Sequence, residues 1–449
     1  FKVAMAAAPF PNWLMLERFV FRRDDKGSFP DDTKAPIRAS GTTSWNARFQ
    51  FHIALCLAEP PLPSRLYARL PRFPDPRKHI PLAILATHRH LLLLRIGTNT
   101  PGLGLRQDFL IYSAYDPSSF KALPPCTEPY TDYTRTGDSL SRGPPLEQGK
   151  QRLLTVKSMG LLCRGQGEQE FAVAELCVFK SVHSEVYADI CLLRSSTSAG
   201  PILGGEWNSM RLPIPGIDNV NDPWQLCCWD TDAMVPFNRS LCWIDYHRGI
   251  LIFDVFGEHI PTVTFLALPL DEFPSAHTHR EIKPFSWLYR GVSAIDDGRV
   301  LKFVNVTRHD GIGHGELKSG SGFTITCHTL ALGSMVWELN YTITSAELWS
   351  SNPHLPHTIL MFPQVNVHRP YVVHFLISEF EYVIRKMWVV SIDMSTRTVE
   401  SISQYINAKE GLKTDDADFT RRRSSAPASF LPCEFSRFLR LSRKSEDME

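Results

Sequence analysis

Short apolar runs, each closed by a polar turn, recur from Phe49 to Ile392, and no segment holds a sustained helical period. Phe49–Leu57 reads FQFHIALCL, Phe109–Tyr112 reads FLIY, and Phe171–Phe179 is followed by Val186–Leu193. Ile80–Ile96 is two apolar runs around Thr87-His88-Arg89-His90. The series continues through Phe323–Leu332, Met335–Leu339, Val372–Ile377 and Met387–Ile392. Runs of this length bounded by turn residues are strand signals. Val292–Val306 (VSAIDDGRVLKFVNV) carries Asp297-Gly298 between two such runs. That dipeptide favours a hairpin, because glycine accepts positive φ at no steric cost. Proline reinforces the reading. It makes up 33 of 449 residues, about 7% against roughly 5% in average usage, and it both removes a donor and clashes inside helices. The chain is therefore expected to be all-β.

The runs also echo one another. FLIYSAYDPSSFKALPP (109–125) and LIFDVFGEHIPTVTFLALP (251–269) each pass from an apolar strand through a polar loop to a closing Leu-Pro. VHFLISEF and MWVVSIDMSTRTVESISQY repeat the cadence near the end. Repeated four-strand units imply a β-propeller of short four-stranded blades, six favoured over five or seven. Two packed β-sandwich-like halves are the alternative. The expected organisation is an N-terminal segment over 1–40 that supplies a strand closing the first blade, a propeller over 41–407, and a polar, largely disordered tail over 408–449 with a short helix at Ser436–Arg443. Thr127–Lys150 reads as a long exposed loop and Ser195–Pro223 as a link between blades.

Leu241–Val255 (LCWIDYHRGILIFDV) is the stretch where chemistry and turn compete. Asp245, His247 and Arg248 are residue types that form sites. Their spacing is that of a hairpin: apolar strand, polar turn closed by Gly249, apolar strand ending at Asp254. Trp243 and Phe253 are expected in a blade core, where large aromatics bury most area. Asp245, His247 and Arg248 are expected to shape or solvate the turn.

Other chemical signals are weak. Gly311–Gly322 (GIGHGELKSGSG) suggests a phosphate loop, but Lys318-Ser319 follows Leu317 where a Walker loop needs glycine. A flexible inter-strand loop is expected instead. His88/His90, His277/His279 and His354/His357 could share a metal, yet each pair sits in a turn or loop and is read as exposed. Asp296-Asp297 belongs to turn chemistry. The ten cysteines show no paired metal spacing, and several sit in apolar runs. Cys227-Cys228 reads as buried thiols, and the pattern suits a reducing compartment. No nucleophile elbow is present. No metal, cofactor or catalytic residue is expected. Lys and Arg (48) nearly balance Asp and Glu (47), so nucleic acid is not an expected partner. No run approaches the length of a membrane span. The sequons at Asn238, Asn305 and Asn340 are read as chance matches, and Arg421–Arg423 as part of a solvated tail that also resembles a nuclear signal or a basic phosphorylation site.

The segment FNRSLCWIDYHRGILIFDVFGEHIPTVTFLALPLDEFP closely resembles the signature of a grass-expanded plant family, domain of unknown function 1618. Pro11-Asn-Trp-Leu-Met-Leu, Ala58-Glu-Pro-Pro-Leu-Pro-Ser-Arg-Leu-Tyr, Gly298-Arg-Val-Leu-Lys-Phe-Val-Asn-Val, Phe362-Pro and Pro370-Tyr-Val-Val resemble its other parts in order, over roughly residues 10–440. More distantly, Trp243, Gly249, Phe253, Asp254, Leu268 and Pro269 resemble the blade signature of the propeller that follows the F-box in plant F-box proteins; with Asp245 they are the structural signature expected of the segment. The F-box itself is not matched, because Pro71, Pro74 and Pro76 would break its helices. The resemblance brings a fold and no catalytic residue. The expected role is that of a non-catalytic plant protein, cytoplasmic or nuclear, binding an unknown protein partner, with a link to stress or developmental regulation by family analogy. An enzyme with its site in the central propeller channel is the alternative.

Overall fold

The computed structural model describes residues 10–25, 27–73, 81–100, 104–130, 146–147, 150–164, 170–180, 185–195, 205–215, 226, 228–258, 260–270, 285–381, 383–407 and 430–439. Arg421–Arg423, His277, His279 and Cys227 lie outside them, as does most of the Thr127–Lys150 loop.

The strands fall in order into six sheets. Blade I takes β1 (Leu14–Arg22), β2 (Ile37–Thr42), β3 (Gln50–Cys56) and β4 (Pro63–Arg69). Blade II takes β5 (Leu82–His88), β6 (Leu91–Thr100), β7 (Gly104–Ser113) and β8 (Asp116–Ala122). Blade III takes β9 (Met159–Arg164), β10 (Glu170–Lys180), β11 (Val186–Arg194) and β12 (Trp207–Pro213). Blade IV takes β13 (Ala233–Phe237), β14 (Ser240–Asp245), β15 (Gly249–Asp254) and β16 (Val263–Ala267). Blade V takes β17 (Arg290–Ile295), β18 (Val300–Arg308), β19 (Phe323–Ala331) and β20 (Glu338–Thr344). Blade VI takes β21 (Met361–Val365), β22 (Val372–Glu381), β23 (Val383–Asp393) and β24 (Thr398–Asn407). A last short strand, β25 (Leu431–Cys433), returns to blade I. Blades II–VI are four-stranded meanders. The fold class is the six-bladed β-propeller that the repeated cadence implies.

The packing divides the chain into two compact units, 1–122 with 416–449, and 123–415. The sequence places its boundaries at 40 and 407. In the first unit, blade I is built from both ends of the described chain. Its order is β2-β3-β4-β1-β25, with β1 parallel to β4 and antiparallel to β25. Residues 430–439, within the segment read as tail, pack into this unit's core through Leu431, Cys433, Phe435, Phe438 and Leu439. Phe435 stacks on Tyr112 at 5.3 Å. A helix over 435–439 follows β25.

In the second unit blade IV buries both faces, one against blade III and the other against blade V. Along β14 the side chains alternate, as a strand requires. Leu241 and Trp243 join the blade III core with Leu162, Ala174 and Ile190. Cys242, Ile244 and Tyr246 join the blade V core with Val292, Leu301 and Phe303. This is why the run reads as continuously apolar: a strand covered on both sides has no polar face to show. The Trp243 indole is fully buried, and its Nε1–H donates to the Ser158 carbonyl at 2.8 Å.

Turns follow the sequence signals. Asp296, Asp297 and Gly298 have φ of 52°, 50° and 77°, all left-handed, a conformation that Asp tolerates and Gly favours. The Gly298 carbonyl accepts the Asn238 N–H of blade IV at 2.8 Å. The turn thus also joins two blades. Gly249 answers a different need. A Cβ there would stand 2.7 Å from both the Leu266 carbonyl and the Phe265 ring.

Trp243→Ala should lower unfolding free energy by about 3–5 kcal/mol, since it opens a cavity between two blades and strands the Ser158 carbonyl. Urea unfolding of variant and wild type measures this; a loss below 1 kcal/mol would place the indole outside the core.

Candidate functional site

The polar knot between β14 and β15 is an internal joint. Asp245 is fully buried and Arg248 nearly so. The Arg248 guanidinium donates to Asp245 Oδ2 at 2.8 Å, the Asp230 N–H to the same oxygen at 3.0 Å, and the His247 N–H to Oδ1 at 2.9 Å. Of the two roles expected of these residues, Asp245 and Arg248 shape the turn from inside and do not solvate it. A carboxylate with three N–H partners can be buried without being orphaned. His247 is half-buried. Tyr246 points the other way: its hydroxyl accepts the Val292 N–H at 3.2 Å and its carbonyl accepts from Arg290. Its own N–H donates to Asp232 at 2.9 Å. Burial pulls the Arg290 guanidinium down to about 10, and the Asp232 and Asp245 carboxylates oppose that fall. Three blade elements thus meet here with their polar groups used on one another.

The other signature residues are also placed by packing. Phe253 lies in the core shared with blade III and Leu268 in that shared with blade V. Asp254 caps the next turn, accepting the Phe256 N–H at 2.9 Å, with Arg239 at 3.6 Å. Pro269 is half-buried just after β16.

The glycine-rich loop after β18 has the wrong polarity for phosphate. A phosphate cradle turns N–H groups inward. Here the Gly315 and Glu316 carbonyls face inward, each accepting from Arg308 at 2.8 Å. The N–H groups of Ile312 and Lys318 go to Asp310 at 3.0 and 3.2 Å. Arg308 pairs with Asp310 at 2.6 Å, which holds that carboxyl well below its usual range. An internal anion occupies the position a bound one would need. The loop expected to be flexible is pinned from within.

A buried Ser–His pair sits in blade VI. His374 Nδ1 and Ser391 Oγ are hydrogen-bonded at 2.8 Å across β22 and β23. His374 Nε2 lies 3.4 Å from the Asn366 amide. Both members are buried within the sheet. Burial, with the Arg369 charge adding to it, pulls the imidazole down to about 4.

Two readings of histidine and cysteine need correction. His90 is buried, its ring 4.6 Å from Tyr115 and 5.8 Å from Phe438. Cys228 is exposed. His354 and His357 are exposed, with His357 stacked on Trp349 at 4.3 Å. Among the described residues no three His, Cys, Asp or Glu gather as metal ligands, and no helix is long and apolar enough to cross a membrane.

The surface that stands out is one the strand signals misassigned. Met335–Leu339 reads as a strand, but β20 begins only at Glu338, and the preceding residues form the loop after β19. Leu332, Met335, Val336 and Leu339 are 47%, 54%, 70% and 59% exposed. The loop is nonetheless fixed. Trp337 Nε1 donates to the Ala267 carbonyl of blade IV at 3.0 Å, and its ring packs 6.0 Å from Phe303. The Val336 N–H donates to Ser334 Oγ at 3.1 Å, and Gly333 supplies a left-handed turn at φ 82°. The signal that marks it is Gly333-Ser334 followed by apolar residues without polar alternation. A pinned loop carrying three open apolar side chains, followed by the exposed Leu339 on β20, is a candidate protein-docking surface.

The family described as "Protein of unknown function (DUF1618)" matches residues 243–374. That stretch starts at Trp243, ends at His374, and covers under a third of the chain. No curated protein matches the sequence. Among solved structures, Chaetomium thermophilum Sqt1 bound to the N-terminus of the ribosomal protein L10 is similar with a TM-score of 0.30 and 9% identity, over 88% of this chain and 92% of that one.

Two outcomes are expected. Asp245→Ala should cost about 3–5 kcal/mol, because Arg248 stays buried without its partner. His247→Ala should cost under about 1 kcal/mol. Equal costs in chemical denaturation would contradict the assignment of the knot. His374 gives a pH dependence. Its imidazole protonates near 6.5 when unfolded and near 4 when folded, so between those values the unfolded state binds more protons. Its contribution is complete above pH 6.5 and is lost as pH falls through 4, a difference of about 3 kcal/mol. The fall in stability over that window should be smaller by this amount in His374→Gln; identical falls would contradict a buried neutral imidazole.

Proposed function

We propose that this protein is a non-catalytic interaction scaffold that docks a protein partner on the loop between β19 and β20. The observation that carries the reading is the exposure of Leu332, Met335 and Val336 on a loop bolted down by Trp337, and of Leu339 at the start of β20. Ordering a flexible loop on binding costs free energy, and a fixed loop avoids that cost. The partner is a protein segment with apolar side chains in extended conformation. Among the described residues β20 is the last strand in its sheet order, so one of its edges pairs with no described strand. An extended segment could add there while its side chains meet Met335, Val336 and Leu339. The non-catalytic part of the reading is supported by the internal use of the knot at Asp245, the Arg308–Asp310 loop and the buried Ser391–His374 pair. The sequence resemblance extends the proposal to a plant family member of the cytoplasm or nucleus. A link to stress or developmental regulation rests on that resemblance alone.

Met335→Asp with Val336→Asp alters exposed side chains only and should leave unfolding free energy within about 1 kcal/mol of wild type. Parallel affinity purifications of tagged wild type and variant, quantified by mass spectrometry, should show a co-purifying protein depleted at least tenfold with the variant. Equal recovery of every co-purifying protein would overturn the docking role of this loop.

A further inference from the structure

Two cysteines distant in sequence are held together on blade III. Cys126 and Cys191 are both buried, and their sulfurs lie 3.5 Å apart. Cys191 is on β11, in lateral register with Glu175 of β10 and Ser209 of β12. Those three side chains share one face of the sheet. Residues 123–130 and 150–155 form a strap over that face. The Trp207 indole donates to the Pro124 carbonyl at 2.8 Å, the Ser209 N–H to Glu128 at 3.0 Å, and the Arg152 N–H to the Cys126 carbonyl at 2.8 Å. Under the strap, the buried Arg152 guanidinium reaches Glu175 at 3.1 Å and Asp189 at 3.6 Å. Cys126 is the strap's own thiol; Cys191 belongs to the sheet.

We propose that Cys126 and Cys191 are a reversible dithiol–disulfide pair that staples the strap to blade III. Sulfurs already at van der Waals contact need to close by only about 1.5 Å to reach bonding distance, which side-chain rotation supplies. Local chemistry favours Cys126 as the first nucleophile. The hydrogen bond from Cys191, and with it the Arg152 charge, holds the Cys126 thiol below its usual range, while the same contact and burial push Cys191 up. The oxidant is a low-molecular-weight disulfide, RSSR. The Cys126 thiolate attacks one sulfur of RSSR, forming a mixed disulfide and releasing RS⁻. Cys191 passes its proton to that thiolate and attacks the Cys126 sulfur, releasing a second RS⁻, which takes up the proton that Cys126 gave to solvent. Two protein thiols and one RSSR thus become one protein disulfide and two RSH. Because both sulfurs are covered, entry of the oxidant waits on opening of the strap, so the pair reacts more slowly than the exposed Cys228.

The test is oxidation of the full chain with glutathione disulfide, followed by alkylation and non-reduced peptide mass spectrometry. The expected product is a peptide joining Cys126 to Cys191, two hydrogens lighter than its parts, that dithiothreitol separates. Thermal unfolding of oxidised wild type should shift upward by a few degrees, because the bond closes a long loop in the unfolded chain. Cys126→Ser should show no such shift. Both cysteines remaining fully alkylatable after unfolding, while Cys228 carries glutathione, would overturn the proposal. So would linkage of either cysteine to a different partner, or a linked wild type with no thermal shift.

Discussion

Burial of blade IV on both faces is the constraint around which it and its two neighbours in the second unit are arranged. β14 carries no polar face because blade III takes Leu241 and Trp243 while blade V takes Cys242, Ile244 and Tyr246. A side chain that would be free to vary on a one-sided sheet is fixed here by its neighbour. Backbone and side-chain polar groups at the blade ends must then be satisfied without easy access to water. The knot at Asp245 meets that demand for the β14–β15 turn. Arg308 and Asp310 meet it for the loop after β18.

This explains why residues that look catalytic in the sequence are structural in the fold. Asp, His and Arg close together signal either a site or a turn that must satisfy itself, and only partners distant in sequence decide between them. Asp245 is matched within its own turn and by Asp230, but Tyr246 depends on Arg290 and Val292, more than forty residues on. The glycine-rich loop is decided by the direction of its carbonyls, which spacing does not encode.

Much of the architecture was legible. Most strand positions and the Asp297-Gly298 turn follow from period and turn chemistry, which are local, and the same cadence favoured six blades over five or seven. The β25 return to blade I was not legible, because its three residues are too short a run to signal a strand and their partners Leu14, Met15 and Leu16 lie far away in sequence. His90 read as exposed because its cover, Phe438, is contributed by the chain's other end. The apolar loop at Met335 read as strand because an apolar run does not by itself say whether it will be covered.

The central claim is that neighbouring blades of the second unit bury one another and so open together. Native-state hydrogen exchange measures this residue by residue. The amides of Ala174 in β10, Trp243 in β14 and Phe303 in β18 should exchange through one shared opening with the same free energy and the same denaturant dependence. Exchange of blade IV at a distinctly lower free energy, with blades III and V still protected, would contradict it.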